Sequence, residues 1–397
     1  MPFDSADAAA ALHLFEKLSA SDDDASRCGL VSDFFQERSI QTERLDASTL
    51  VVRPADAAAD AAIDVLLAAP IPASASDEVG LSDLAAFAAL ARASIGGNSR
   101  VAFLASGEAS SSAQALPDLR PARALLLPSP ERPFEWKGVQ IHPIVTAFKG
   151  RALVTLTAKG PRANAGHPST TSAAHHLARA LLRLSHQRLP IHVNPPARQM
   201  FDALRHKASG PWSLRLLAGC GSLLADMALS GASIQRLPFA NRMDTALRNT
   251  ATPLRVELGS PPASGERPET GTVLLDCRLV PGQSASTLLF ELRARLDDAQ
   301  LELAIHSEHP AVVSTTAAPI VRALEAAVAT QSAVPIPWLT AQSPDALALA
   351  KSDVPTCGVP IAGNPKQEGP GRAAWTRSLA ALFEALVQPQ TSQTTVR

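Results

Sequence analysis

The sequence predicts an α/β protein in which a mostly parallel sheet domain is interrupted by an inserted split βαβ domain. Three observations predict it. The first third alternates short apolar runs with stretches of helical periodicity, the pattern of buried strands covered by helices. From about residue 145 the strands turn to period two and follow the order β-α-β-β-α-β, the split βαβ or ferredoxin-like arrangement. After about residue 316 the style of the start resumes, so the middle domain is inserted into the first. The expected boundaries are 1–144 and 311–397 for the two parts of the α/β domain and 145–310 for the insert, and 397 residues leave room for both.

Residues 4–21 and 24–38 read as amphipathic helices, with Leu12, Phe15 and Leu18, then Leu30, Phe34 and Phe35, at helical spacings. Thr49–Val52 and Ala62–Ala68 are apolar runs bounded by Pro and Asp, and read as strands. Ser82 and Asp83 precede the apolar-periodic run Leu84–Ala93, which is an N-cap signal for a helix beginning there. Arg100–Ala105 is a further strand. In the insert, Arg151–Ala158 alternates as a half-exposed strand does, and Ser172–Ser185 is helical. Beyond a helical stretch at about 197–235 come strands Leu254–Leu258 and Thr272–Leu279, helix Ser284–Leu296 and strand Leu301–His306. The last part reads as helix Ile320–Gln331, strand Cys357–Ile361 and helix Ala373–Val387.

Composition narrows the function classes. Hydrophobic residues at 46% and charged residues at 18% exclude a wholly disordered chain. A net charge of −1 gives no basic field for nucleic acid or anionic membrane, so neither is an expected partner. Cys28, Cys220, Cys277 and Cys357 form no CxxC pair, which argues against a zinc ribbon or disulfide framework and for a reduced, cytoplasmic setting. The N-terminus has acids where a secretory signal wants basic residues, and no run approaches the roughly 18 apolar residues of a membrane span. Abundant Ala, absent Tyr and 32 Pro are read as the coding bias of a GC-rich bacterium and carry no functional weight.

Two strings carry chemistry. LLDCRLVPGQSASTLLFELRARL, Leu274–Leu296, sets Asp276 and Arg278 on a strand running into Pro281-Gly282 and a helix. KGRALVTLTAKGPRANAGHPSTTSAAHHLARALLRL contains a strand, a turn with Gly166, His167 and Ser169, and a helix. Together, in this order and inside an inserted split βαβ domain, they resemble the M20 family of zinc aminoacylases and carboxypeptidases, most nearly its carboxypeptidase S branch. Weaker likeness extends over most of the chain. SDLAAFAALARA resembles the helix after the family's metal-bridging Asp, VAFLASGEASSSAQAL the strand entering its Glu-Glu pair, and LTAQSPDALALAKSDVPTCGVPIAG its late Ser/Thr-x-Asp turn. The resemblance implies a discontinuous catalytic-type domain, a lid domain that pairs two subunits, and a two-zinc site for hydrolysing amides beside a carboxylate.

This chain departs from the family where the zinc ions bind. A zinc pair needs imidazole and carboxylate ligands on both ions and a bridging acid. Before His142 the only histidine is His13, in the opening helix, so Ile63–Ala68 delivers no His-x-Asp pair and ends in AAPIP. After His309 there is no histidine at all, and the segment expected to carry the C-terminal ligand reads KQEGPGRAAW. No two glutamates are adjacent, so at most Glu108 survives of the Glu-Glu pair. The long loop expected before the bridging Asp has shrunk to IPASASDEVGLS between Pro70 and Asp83. No metal and no other cofactor are expected.

Each remaining candidate has two readings. Asp83 is a relic of the metal bridge or an N-cap, and the cap is the preferred reading. Glu108 is a lone acid or base, or a solvated loop carboxylate. His167 resembles the lid histidine that stabilises a developing oxyanion, or is a turn residue before Pro168. Arg278 resembles the family's carboxylate-binding arginine, or pairs with Asp276 two residues away on the same strand face. Ser343 and Asp345 match a turn that borders the substrate in the family, or form a simple turn. The family's Asn-Val-x-Pro is replaced by GERP ending at Pro268. His175 and His176, neighbours on a helix, point about 100° apart and do not chelate one ion, while His306 and His309 offer a weak surface metal site. The expected function is a non-hydrolytic homodimeric scaffold for a carboxylate ligand or a protein partner. The alternative is a metal-independent enzyme acting on an amino-acid-derived amide or acyl substrate.

Overall fold

The structure is a computed structural model, described here for residues 3–53, 63–95, 100–107, 122–161, 170–186, 188–208, 229, 237, 239–259, 269–342 and 354–387. It divides into two compact units, the first made of Met1–Thr146, Val313–Trp338 and Pro344–Arg397 and the second of Ala147–Val312 with Leu339–Ser343.

The first unit opens with α1 (Ser5–Ser19) and α2 (Asp24–Gln36), followed by β1 (Thr42–Asp46), β2 (Thr49–Val52), β3 (Val65–Ile71), α3 (Glu78–Ser94), β4 (Val101–Gly107), β5 (Ala124–Pro128), β6 (Phe134–Trp136) and β7 (Val139–Phe148). Both opening helices begin on aspartates, Asp4 and Asp23, whose side chains accept backbone N–H groups of the first turn. The sheet order is β1-β2-β4-β3-β5-β14-β7-β12, with β12 (Val312–Val313) and β14 (Thr356–Val359) supplied by the later chain. Its centre is parallel, since β3 pairs in parallel with β4 and β5, and β14 with β5. The flanks are antiparallel.

Strand side chains on one face, among them Leu67, Phe103 and Leu126, join Phe15, Phe35 and Phe87 in one core with α8 (Pro319–Thr330) and α9 (Pro370–Val387). Leu66, Leu104 and Leu125, on the other face, are buried as well. Burial on both faces is why these strands read as unbroken apolar runs. Helix α3 is buried almost all round, and Ala at positions 85, 86, 88, 89 and 91 lets neighbours approach it closely.

The helix start departs from the sequence reading. It lies at Glu78 with Asp77 as N-cap, accepting the Gly80 N–H at 2.9 Å, so Asp83 is inside the helix and caps nothing. Strand β3 runs three residues past the expected end. Strands β1, β5, β6, β7 and β12 and strand β13 (Val334–Thr340) were not expected: β1 is polar, β6 and β12 are only three and two residues long, and β7 and β13 carry prolines that weaken a strand signal.

The second unit holds β8 (Gly150–Lys159), α4 (Ala173–His186), α5 (Pro195–Lys207), α6 (Ala240–Leu247), β9 (Thr250–Leu258), β10 (Thr270–Leu279), α7 (Ala285–Leu296) and β11 (Leu301–His309). Its antiparallel sheet has the order β11-β8-β10-β9, the split βαβ topology. Alternation places Val154, Leu156, Val273 and Leu275 against Leu177 of α4 and Leu288 and Leu292 of α7.

Candidate functional site

In a parallel sheet, sites form beyond the carboxyl ends of the strands. Here those ends are Ile71 of β3, Gly107 of β4, Pro128 of β5 and Val359 of β14. After Ile71 the short loop folds straight back onto α3. Arg27, fully buried on α2, donates to the Pro72 carbonyl and, at 2.6 Å, to that of Ser21. Asp77 N–H donates to the Ser74 carbonyl, and Ser74 and Ser76 share a hydroxyl hydrogen bond of 2.7 Å. Gly80 makes room for the turn, since a Cβ there would lie 2.5 Å from Asp77 Oδ2 and 2.7 Å from Pro72 Cγ.

Just under one turn beyond Gly80 on α3 sits Asp83, only 5% exposed. Both its oxygens are engaged by one guanidinium, with Arg132 Nη1 donating to Oδ1 at 3.0 Å and Nη2 to Oδ2 at 2.6 Å. Arg132 comes from the segment between β5 and β6, and its Nη1 also reaches the Ile361 carbonyl, just past β14, at 3.5 Å. Burial pushes the Asp83 carboxyl up to about 6, against the lowering pull of Arg132. A second pair stands nearby in sequence: Lys366, in the segment where the C-terminal ligand was expected, bonds Glu78 of α3 at 2.7 Å. His142, on β7, is buried, and burial holds its imidazole down at about 4, so it is neutral at pH 7. His13 is exposed beside Glu16 on α1.

The described donors do not fit a zinc pair. Among the described residues no three His, Cys, Asp or Glu side chains form a group able to hold a metal ion. The one carboxylate that resembles a bridging acid spends both oxygens on Arg132. Arg132, Arg27 and Lys366 are all absent from the sequence reading, because a lone base in a Pro-rich connector or on a helix carries no signal of its distant partner.

In the second unit, Asp276 and Arg278 leave β10 on the face opposite the helices. Arg278 Nη2 donates to Asp276 Oδ2 at 3.0 Å, and Arg151, its cross-strand neighbour on β8, donates to Oδ1 through Nε at 3.2 Å. The expected intrachain pair is therefore present, with a second guanidinium on the same carboxylate. The Pro-Gly of the signature makes a tight turn: Gln283 N–H donates to the Val280 carbonyl at 2.9 Å with Gly282 at φ 88°, as a type II turn requires. Ser284 then caps α7. His176 bonds Asp298 at 2.7 Å, and Glu308 Oε1 accepts the Ala285 N–H at the start of α7, so Glu308 serves that helix rather than the His306 and His309 pair. Cys28, Cys277 and Cys357 are buried free thiols. His167, Glu108, Ser343 and Asp345 lie outside the described residues.

No family model matches this chain, and no curated protein matches it in sequence. Solved structures do match it in fold over nearly its whole length. The di-peptidase Dug1p of Saccharomyces cerevisiae superposes with a TM-score of 0.57 at 13% identity, covering 98% of this chain and 99% of that one. The M20 family metallo-carboxypeptidase Sso-CP2 of Sulfolobus solfataricus gives 0.60 at 14%, covering 94% and 98%. The YXEP protein of Bacillus subtilis, a dinuclear metal binding peptidase from the M20 family, gives 0.54 at 11%, covering 97% and 98%. At these identities the likeness is one of fold, and the fold is that of the M20 peptidases with their lid domain.

Proposed function

On this M20 peptidase fold, we propose that the chain is a non-hydrolytic scaffold that binds a carboxylate ligand or a partner protein. The observation that carries the reading is Asp83, buried and engaged on both oxygens by Arg132, at the place the resemblance gives to the metal-bridging acid. Arg132 takes one lone pair on each oxygen, on the side of the carboxylate where a bridge between two ions would form. In the proposed scaffold Arg278 takes the ligand's carboxylate, with Asp276 and Arg151 fixing its orientation, while His167, Ser343 and Asp345 are the other proposed contacts. The working form is a homodimer through the second unit. Its support is β9, which ends the sheet and exposes Leu254, Val256 and Leu258 to about half their full extent.

A second reading, a metal-independent enzyme on an amide or acyl substrate, has one observation in its favour. A carboxyl at about 6 is tuned for proton transfer at neutral pH, as Asp83 is. Glu108 and His167 are its other proposed groups. One experiment separates the readings. N-acyl amino acids are offered to the protein purified without chelator, with and without added zinc, alongside His167→Ala. The scaffold reading expects negligible bound metal and no turnover in any arm. Turnover that needs no zinc and falls in His167→Ala supports the second reading, and stoichiometric zinc with zinc-dependent turnover refutes both.

A further inference from the structure

Three separate pieces of chain converge on one guanidinium. Arg132 belongs to the connector after β5, its fork closes on Asp83 of α3 at 3.0 and 2.6 Å, and its Nη1 reaches the carbonyl of Ile361 beyond β14 at 3.5 Å. We infer that the Arg132 guanidinium is a built-in replacement for a bound cation at Asp83, closing the site from within and fastening α3, the β5–β6 connector and the β14 exit together. The inference rests on reading Asp83 as the relic of a bridging acid, and it adds what has taken the ions' place.

Geometry and charge both carry it. A bridging carboxylate gives one oxygen to each of two positive centres, and the two Nη groups of a single guanidinium meet the same two oxygens in one plane. Two dications must be balanced by several anionic ligands, whereas one guanidinium is balanced by one carboxylate. Exchange of the ions for Arg132 therefore leaves Asp83 as the one acid that the site needs. The sequence runs the same way: no histidine lies between His13 and His142 or after His309, and no two glutamates are adjacent. The other acid at the start of α3, Glu78, is likewise matched by a side chain of the same chain, Lys366. Asp83 is 5% exposed, so without a cation its charge would be left in the interior, which proteins strongly avoid.

The test is a double-mutant cycle on the full chain with chemical replacement of the cation. Melting temperatures are measured for wild type, Arg132→Gly, Asp83→Asn and the double variant, each with and without millimolar methylguanidinium. The expected result is a large drop for Arg132→Gly, a smaller drop for the double variant than for Arg132→Gly alone, and a rise with methylguanidinium in Arg132→Gly only. Losses that simply add in the double variant overturn the inference, as does a methylguanidinium response equal in all four proteins. If Arg132→Gly does not fold, Arg132→Lys replaces it: the ammonium keeps the charge and loses the fork, so its melting temperature is expected below wild type, and an unchanged value overturns the inference. Metal-independent turnover by the wild type would sink the non-hydrolytic reading and leave the cycle intact, whereas an additive cycle would sink this inference and leave that reading standing.

Discussion

Asp83 and His142 are two buried titratable groups in the same unit, and burial moves them in opposite directions. Asp83 is raised from 3.8 to about 6, so the folded state holds its proton more tightly than the unfolded state. Its contribution to stability is full below about pH 4 and is lost as pH rises through 6, a change of about 3 kcal/mol. His142 is lowered from 6.5 to about 4, so its contribution is full above 6.5 and is lost as pH falls through 4, again about 3 kcal/mol. The two slopes offset each other in the wild type between pH 4 and 6. Urea midpoints across that range are expected to rise with pH in Asp83→Asn and to fall with pH in His142→Leu. Parallel profiles for the two variants would refute the assignment. Neither behaviour was legible in the sequence. Asp83 preceded an apolar run and so looked like a cap, and His142 gave no hint of its burial, because both depend on segments far away in the chain.

At the scale of the element, the turn between β3 and α3 is the feature most open to test. Ala is a better helix former than Gly by about 1 kcal/mol, so propensity alone predicts that Gly80→Ala stabilises. The structure predicts the reverse. A Cβ at Gly80 would meet Asp77 Oδ2 at 2.5 Å and Pro72 Cγ at 2.7 Å, so either the cap or the turn must give way. A net loss of about 1 kcal/mol is expected, the size of a lost N-cap, and thermal unfolding beside Asp77→Ala checks it. The strands of the second unit and its helices α4 and α7 were legible because each carries its own period, whereas α6 lies beyond the helical stretch expected at about 197–235. The signature turn could also be read: Pro281 and Gly282 suit a type II turn locally, and Ser284 caps the helix that follows. The start of α3 was misread because a sequence with Asp77 and Asp83 both ahead of apolar residues offers two caps. Only the room made by Gly80 and the hold of Arg27 on Pro72 select the first.

For the whole molecule, the described residues include no helix long and apolar enough to cross a membrane. The proposed dimer makes a definite prediction. Sedimentation is expected to give twice the chain mass for wild type and the single-chain mass for Val256→Lys with Leu258→Lys, since two charges on β9 oppose edge pairing. A monomeric wild type would remove the dimer from the proposal. Substituting Arg278→Gln is expected to weaken binding of a small carboxylate by tenfold or more, while Arg151→Gln, acting through Asp276, weakens it less; calorimetric titration distinguishes the two. Equal affinities in all three proteins would exclude this face as the ligand site.

What the sequence determined by itself was the α/β class, the inserted split βαβ domain, and that no histidine follows His309 and no two glutamates are adjacent. These follow from periodicity, from order along the chain and from which residue types exist at all, and none needs a contact to be known. Where Asp83 points, and what answers its charge, belonged to the tertiary structure. Asp83 and Arg132 are 49 residues apart, and Ile361 is 229 from Arg132. No local pattern encodes such a meeting. It arises because the parallel strands β3, β5 and β14 end together, bringing their connectors onto one buried carboxylate that requires a positive charge.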